Sequence, residues 1–421
     1  MKVLLFSVAP VAINDINVGK NGFSWISSTL RIIQNWDNVE IFIAYVSDKK
    51  INIEKSNNIS IYPIYVRRNY WNRIIKDKVS YDSIDQSIIT ESIKVVNQIN
   101  PDIIHVFGTE WCFGEISKFI DIPVVLHMQG FWPQYQNCYL LPGESYSSKI
   151  WKSWSSPSML LYYLYNKRLS KCRAKREEKI IRENKYFMGR TEWDKSLVKL
   201  YNPNAIYYHV EEALRKEIIE SSIVRKRGDV FTIATIGSCQ SLKGPDVALK
   251  TATLLVQNSK LKFKWLWIGG DKKDMACFES ITGIKSNTVN IKMLGRKNSS
   301  EIIRILSDVD LYVQPSYTDN SPNSICEAQC LGLPIIASYA GGIPSLFDSR
   351  YDKDLMIPIN DPYILASKIL ELSKNAQRLI KLGELNRSFA LKRNSDQNIS
   401  QQLFNAYSET IKNYKKCLLK D

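Results

Sequence analysis

Short continuous apolar runs alternate with stretches of helical period along most of this 421-residue chain. An apolar run at 2–8 is followed by a glycine-bearing loop, Gly19-Lys20-Asn21-Gly22, and then by an amphipathic pattern over 23–34. That order predicts strand, loop and helix. The run at 39–46 reads as a second strand. Over 83–100 the pattern is helical, with Ile84, Ile88, Ile89, Val95 and Val96 on its buried side. Pro101 opens a strand at 102–107 that ends at Gly108, and a further strand over 123–128 runs into Gln129-Gly130. Apolar runs of this kind, separated by helices, predict a parallel sheet covered on both faces. The stretch 131–158 is rich in Trp, Tyr, Pro and Ser, shows no clear period, and is expected to be a long functional loop. A helix is predicted over 159–184, apolar early and basic late, followed by a strand over 186–188.

A polar, basic stretch at 216–229, containing Arg225-Lys226-Arg227-Gly228-Asp229, reads as a linker. Beyond it the alternation restarts. Strands are predicted at 230–236, 263–268, 290–294, 311–314 and 334–337, and helices at 245–257, 300–307 and 322–331. The part after Asp361 is mostly helical in pattern. The expected organisation is an α/β chain of two Rossmann-like, doubly wound domains. The first covers 1–215 and the second 230–390, with the linker at 216–229. A C-terminal helix over 391–421 is expected to return to the first domain.

A hydrophobic content of 44% over this length fits two domains rather than one core. The net charge of +15 calls for an anionic partner, whether nucleic acid, an anionic membrane surface or a phosphorylated ligand. Eight cysteines without any C-x-x-C pair are expected to be buried free thiols in a reducing compartment. With only three histidines, His105, His127 and His209, a histidine-rich metal site is not expected. No apolar run reaches the length of a membrane span. The apolar start is read as a buried strand rather than a secretory leader, so a cytoplasmic location is expected.

The most informative segment is Pro315-Ser-Tyr-Thr-Asp-Asn-Ser-Pro-Asn-Ser-Ile-Cys-Glu-Ala-Gln-Cys-Leu-Gly332. Ser321 suits a helix N-cap, Pro322 the first helical position and Gly332 the C-terminal cap. A short helix is therefore predicted to begin at the carboxyl end of a strand, where doubly wound sheets bind ligands. The N–H groups of Asn323, Ser324 and Ile325 would face an anion there, with Asn320 beside them in the loop. Glu327 lies roughly 7–8 Å further along the helix, a distance compatible with a diphosphate at the helix start and a ribose diol on its carboxylate. Asp319 would face the sugar side. A second helix start follows Gly237-Ser238 and carries Lys243, placed to pair with phosphate oxygens. A third loop, Tyr339-Ala340-Gly341-Gly342-Ile343-Pro344, lets backbone approach a ligand closely.

With these residues the chain resembles the glycosyltransferase group 1 superfamily. The family signature is two acidic residues separated by seven others, then Ala, then Gly-x-Pro. Asp319, Glu327, Ala328 and Gly332-Leu333-Pro334 have that spacing. The resemblance is strongest over 230–346 and extends to Pro101-Asp-Ile-Ile-His105, Ile122-Pro-Val-Val and Gly189-Arg-Thr-Glu-Trp-Asp194. It implies the GT-B arrangement, two Rossmann-like domains with a cleft between them, and a retaining, family-four-type hexosyltransferase. The donor would be a nucleoside-diphosphate sugar, bound through Lys243, Gly237, Ser238 and the helix start. The acceptor would be a glycan or lipid-linked glycan of bacterial surface polysaccharide, capsule or lipopolysaccharide synthesis. No obligatory cofactor or metal is implied, and catalysis would rest on electrostatic stabilisation of the departing diphosphate rather than on a hydrolase-type carboxylate pair.

Four departures from the family pattern matter. The first acid is Asp319 where Glu is commoner. Ser238 stands where the family often has Arg, which leaves Arg190 or Arg296 to supply the charge. Gln129 stands where His is common, with His127 two residues earlier, so either could face the reacting sugar; Gln hydrogen-bonds a sugar but is no general base. Ser345 follows Gly-Gly-Ile-Pro where Glu is usual. Within the first domain His105 reads as a core histidine and Glu110 as an ordinary loop carboxylate. The acceptor loops are expected at Gly22, Gly130 and Trp132.

Trp132, Trp151, Trp154 and the Tyr162, Tyr163, Tyr165 cluster precede a basic run, and Arg67-Arg68-Asn69-Tyr70-Trp71-Asn72-Arg73 forms a second aromatic–basic patch. Both suit the surface of an anionic membrane, which would place the protein on its inner face. Two competing readings are a GT-B sugar-nucleotide epimerase and a basic nucleic-acid binder. The chain has few histidines for the first and no recognition motif for the second.

Overall fold

The segment Lys2–Ser7 (β1) is buried almost throughout, as expected of a central parallel strand with helices on both faces. The computed structural model of the protein describes residues 1–8, 10, 24–66, 81–152, 156–223 and 228–419. The chain divides into two units, 1–213 with 396–421 and 214–395. The loop with Gly22, the basic patch at 67–73, Trp154 and Arg225-Lys226-Arg227 lie outside the described residues.

In the first unit β1 is followed by α1 (Ser24–Ile33), β2 (Glu40–Ser47), β3 (Glu54–Ser56), β4 (Ile59–Tyr65) and α2 (Tyr81–Ile99). Next come β5 (Ile103–Phe107), β6 (Val124–His127), α3 (Trp132–Cys138), α4 (Tyr146–Lys152), α5 (Pro157–Glu183), β7 (Tyr186–Gly189), α6 (Glu192–Tyr201) and β8 (Ile206–His209). The sheet order is β3-β4-β2-β1-β5-β6-β7-β8. Every pairing in it is parallel except β3 on β4. One face carries Val3, Leu5, Ile103, Phe107 and Met188. The other carries Leu4, Phe6, Ile104, Val106 and Phe187.

The segment 131–158, expected as an aperiodic loop, holds two short helices, α3 and α4. The reason it reads as a loop is visible in α3, which buries no residue and so shows no hydrophobic period. Strands β3, β4 and β8 and helix α6 are further elements that the sequence pattern does not announce. β3 is mostly exposed and β8 only half-buried.

The second unit begins with α7 (Lys216–Glu220), so the stretch read as a linker starts as a helix, with Ile218 fully buried. It continues with β9 (Phe231–Ile236), α8 (Pro245–Asn258), β10 (Phe263–Ile268), α9 (Lys272–Thr282), β11 (Ile291–Met293) and α10 (Ser299–Ser307). Then come β12 (Leu311–Gln314), α11 (Asn323–Cys330), β13 (Ile335–Ser338), β14 (Met356–Ile357), α12 (Pro362–Ser373) and α13 (Ala376–Arg393). The sheet is wholly parallel, in the order β11-β10-β9-β12-β13-β14.

The last helix, α14 (Asp396–Leu418), packs in the first unit. Ile399, Leu403, Ala406 and Tyr407 enter its core. The Tyr407 hydroxyl shares a 2.7 Å hydrogen bond with His105 Nδ1, and Arg31 pairs with Asp396. No helix among the described residues is long and apolar enough to cross a membrane. All eight cysteines are unpaired, but Cys277 is exposed and Cys138, Cys172 and Cys417 are only partly covered, which corrects the expectation of uniformly buried thiols.

Candidate functional site

In the second unit β9, β12 and β13 are neighbours in one parallel sheet, so the loops leaving their carboxyl ends must meet. After β9 the chain turns through Ser241–Lys243 into Gly244, whose φ of +69° starts α8. A Cβ at Gly244 would collide with the Pro315 carbonyl oxygen, so only glycine lets this turn touch the loop after β12. Tyr317 N–H then donates to Leu242 O at 2.9 Å. The loop after β13 closes the third side, where Gly342 N–H donates to Asp319 O at 2.9 Å. Gly341, at φ +54°, has no room for a Cβ against that same Asp319 carbonyl. Lys243 Nζ is ion-paired with the Asp319 carboxylate. Lys243, Asp319 and the Gly341-Gly342 loop are thus brought together.

Helix α11 starts one residue later than the sequence pattern predicts. Pro322 is the cap residue, and no side chain caps the helix. Ser321, expected as the N-cap, is buried instead, and its hydroxyl finds no partner among the described residues. Thr318, 2% exposed, is in the same state. Two buried hydroxyls without partners beside a helix start cost free energy unless another group meets them. The expected trio of anion-facing amides is reduced, because Ile325 N–H donates to Pro322 O at 3.0 Å. This tightens the first turn in the 3₁₀ manner. Ile325 is itself fully buried, while Asn323 and Ser324 are partly exposed. Asn320 is buried in the preceding loop. The far end of α11 closes as a Schellman motif: Leu333 N–H bonds Ala328 O, Gly332 N–H bonds Gln329 O, and Gly332 has φ +69°.

Glu327 is only 5% exposed. Arg215, just before α7, grips it with two parallel bonds: Nε to Oε1 at 2.8 Å and Nη2 to Oε2 at 2.6 Å. Nothing in the sequence pattern singles out Arg215, which stands 112 residues from its partner. Of the cations considered in its place, Arg296 is exposed in the loop after β11. Arg190 sits in the first unit, paired with Glu212 and 3.4 Å from Gln129 Oε1. Beside β9, Gly237 lies against the Lys243 stem and Ser238 is exposed.

The first unit has its own cavity, of 480 Å³, lined by Trp25, Glu110, Trp111, Gln129, Trp132 and Arg173 among others. Gln129 therefore reaches this cavity. His127 is buried, 5.4 Å from His105 and 5.9 Å from Phe107 between ring centroids. Burial, followed by the neighbouring His105, holds its pKa well below the usual histidine range. Neither ring nitrogen finds a partner among the described residues. A Cβ on Gly130 would meet Glu110 Oε1 and the Tyr135 hydroxyl, so the loop after β6 passes close against these two side chains. Trp132 stacks under Arg173, with the guanidinium carbon 5.0 Å from the ring. Its backbone N–H donates to Glu177 Oε2 at 2.6 Å. Glu110, read as an ordinary loop carboxylate, has its pKa raised, chiefly by burial. Glu177 on α5 is likewise pushed up by burial and then by Glu110. No group of three or more His, Cys, Asp or Glu among the described residues is placed to hold a metal ion.

Residues 216–389, nearly all of the second unit, match the family model of glycosyl transferases group 1. An uncharacterised glycosyltransferase of Methanocaldococcus jannaschii is 26% identical over 174 residues, which is 41% of this chain and 47% of that protein. The N,N'-diacetylbacillosaminyl-diphospho-undecaprenol alpha-1,3-N-acetylgalactosaminyltransferase of Campylobacter jejuni is 28% identical over 172 residues, 41% of this chain and 43% of that protein. The chain thus spans less than half the length of either relative. Among solved structures, sucrose-phosphate synthase from Thermosynechococcus elongatus superposes with a TM-score of 0.70 at 12% identity, over 97% of this chain and 98% of that one. The fold is that of the GT-B enzymes, two parallel α/β sheet units in one chain. Its second unit, which carries the acid-x₇-acid helix, is the part of the chain that matches the family of glycosyl transferases group 1.

Proposed function

We propose that this chain transfers a sugar from a nucleoside-diphosphate sugar to a hydroxyl of a glycan or lipid-linked glycan acceptor, with retention of anomeric configuration. One observation supports this reading above the rest: Lys243, Asp319, the start of α11 and the Gly341-Gly342 loop share one edge of the second sheet. In the reaction the bond between the anomeric carbon and the diphosphate oxygen breaks while the acceptor hydroxyl oxygen bonds that carbon; negative charge grows on the departing diphosphate, which takes up the hydroxyl's proton. Lys243 and the N-terminal turn of α11 meet that charge with a fixed cation and fixed dipoles. Asp319 then serves the transferred sugar, Glu327 the ribose, and the unpartnered Ser321 and Thr318 hydroxyls offer further contacts. No metal ion enters this scheme.

The aromatic cavity of the first unit suits the acceptor. Trp25, Trp111 and Trp132 present flat apolar faces, and Glu110 and Gln129 present polar groups for hydroxyls. The relative from C. jejuni is named for a diphospho-undecaprenol substrate, which supports a lipid-linked acceptor.

The test is a calorimetric panel of uridine, guanosine and adenosine diphosphates and their hexose conjugates. At least one conjugate is expected to bind the wild type, and Lys243→Ala is expected to weaken it by about tenfold or more. Failure of every conjugate to bind, or unchanged affinity in Lys243→Ala, rejects the assignment.

A further inference from the structure

Glu327 cannot be read alone. Its carboxylate is almost fully buried, and both oxygens are engaged by one guanidinium. The third nitrogen of Arg215, Nη1, donates to Ser299 Oγ at 3.2 Å on the first residue of α10. That contact fixes the plane of the fork. A carboxylate oxygen accepts two hydrogen bonds. A guanidinium bound side-on through Nε and Nη2 takes the inward-facing position on each oxygen and leaves the outward-facing one, directed away from the fork, to accept from a ribose hydroxyl. The pair also meets the charge requirement: a buried carboxylate without a countercharge is strongly disfavoured, and a protonated one would lose acceptor capacity.

We propose that Arg215 is the positioning residue for ribose recognition: its fork holds the Glu327 carboxylate in one orientation, so that the preference for ribonucleoside over deoxyribonucleoside diphosphates depends on Arg215. This rests on the donor site proposed above. It adds a residue that is not part of the acid-x₇-acid signature, held instead by the chain just before α7. Lysine keeps the charge there but not the fork.

The experiment compares affinities for uridine, guanosine and adenosine diphosphates with those for their 2′-deoxy and 3′-deoxy counterparts, and uses inorganic pyrophosphate as the control. The wild type is expected to prefer the ribonucleotide that binds best by about tenfold or more over its deoxy forms. Arg215→Lys and Arg215→Gln are expected to reduce that ratio to within about threefold of unity. Pyrophosphate affinity should change less than about twofold, because Lys243 is untouched. Since Arg215→Gln leaves a buried charge, the double variant Arg215→Gln/Glu327→Gln is measured as well. It should show the same flattened ratio as Glu327→Gln alone, since the two residues act as one unit. Should the ribose preference survive in the Arg215 variants, or should ribose and pyrophosphate affinity fall together, Arg215 has only a structural role and the inference fails. If the wild type binds ribonucleotides and deoxyribonucleotides alike, the ribose role of Glu327 fails with it, while the diphosphate site stands. If it binds no nucleotide at all, the donor reading itself is wrong.

Discussion

At the scale of single residues the second unit is organised by pairs. Each acid of the signature has a cation from elsewhere in the unit, Lys243 for Asp319 and Arg215 for Glu327. Asp319 is the more accessible of the two acids, and it occupies the cation proposed to receive the donor phosphate. Binding must therefore exchange the carboxylate for a phosphate oxygen. Removing the acid's charge removes that competition but also the group meant for the sugar. Asp319→Asn is thus expected to keep or raise affinity for the nucleoside diphosphate while lowering kcat at least about tenfold. Steady-state kinetics with calorimetry check it, and unchanged kcat with weakened diphosphate affinity refutes the placement. Gly244 is the second residue whose identity matters. At φ +69° with the Pro315 carbonyl where a Cβ would be, Gly244→Ala is expected to cost about 1–3 kcal/mol in urea unfolding. It should also separate Lys243 from Asp319.

At the scale of elements α5 has two characters. Its second half is buried, through Ala174, Arg176, Glu177, Ile180 and Ile181. Its first half exposes Leu161 at 66% and also Met159, Tyr162 and Leu164. The neighbouring helix α4 exposes Trp151 at 80%. Large apolar side chains left in water next to Lys167, Arg168 and Lys171 match an anionic bilayer surface, which takes up the apolar groups and pairs with the cations. The protein is expected to float with anionic vesicles at low salt, and Leu161→Glu/Leu164→Glu to abolish this without loss of thermal stability. Recovery of that variant with the vesicles would count against docking through α5. Helix α11 is the opposite case. It is short, its termini are set by Pro322 and Gly332, and six of its eight residues are buried, so its position is rigidly defined by packing.

At the scale of the whole molecule, buried acids in the first unit set a pH dependence. Asp194 has its pKa raised to about 6 by burial, against the opposing pull of Arg190. Glu177 is raised too, by burial and then by Glu110. A carboxyl that binds its proton more tightly in the fold stabilises the fold at low pH. Its contribution fades as pH rises from the unfolded value, about 4, through the folded one. For Asp194 alone the difference reaches about 3 kcal/mol. The midpoint of urea unfolding is therefore expected to fall between pH 5 and pH 8, and Glu177→Gln to flatten part of that slope. A midpoint that rises over this range would contradict the assignment.

Much of this architecture is present in local pattern. The strands β1, β5, β9, β10, β12 and β13 are mostly apolar runs, and buried parallel strands leave that mark. The proline at the start of α11 and the glycine at its end follow from capping chemistry, which acts over a single turn. Other elements leave no such mark. Helix α3 buries nothing, β3 is mostly exposed, and α7 lies in a stretch polar enough to pass for a linker. The sequence by itself determined where most of the central strands run and where the turn into α11 stands, because period and capping are short-range effects. Only the tertiary structure decided which cation meets which acid, since Lys243 and Arg215 reach partners 76 and 112 residues away. An ion pair depends on where the chain returns in space, and no local periodicity encodes that.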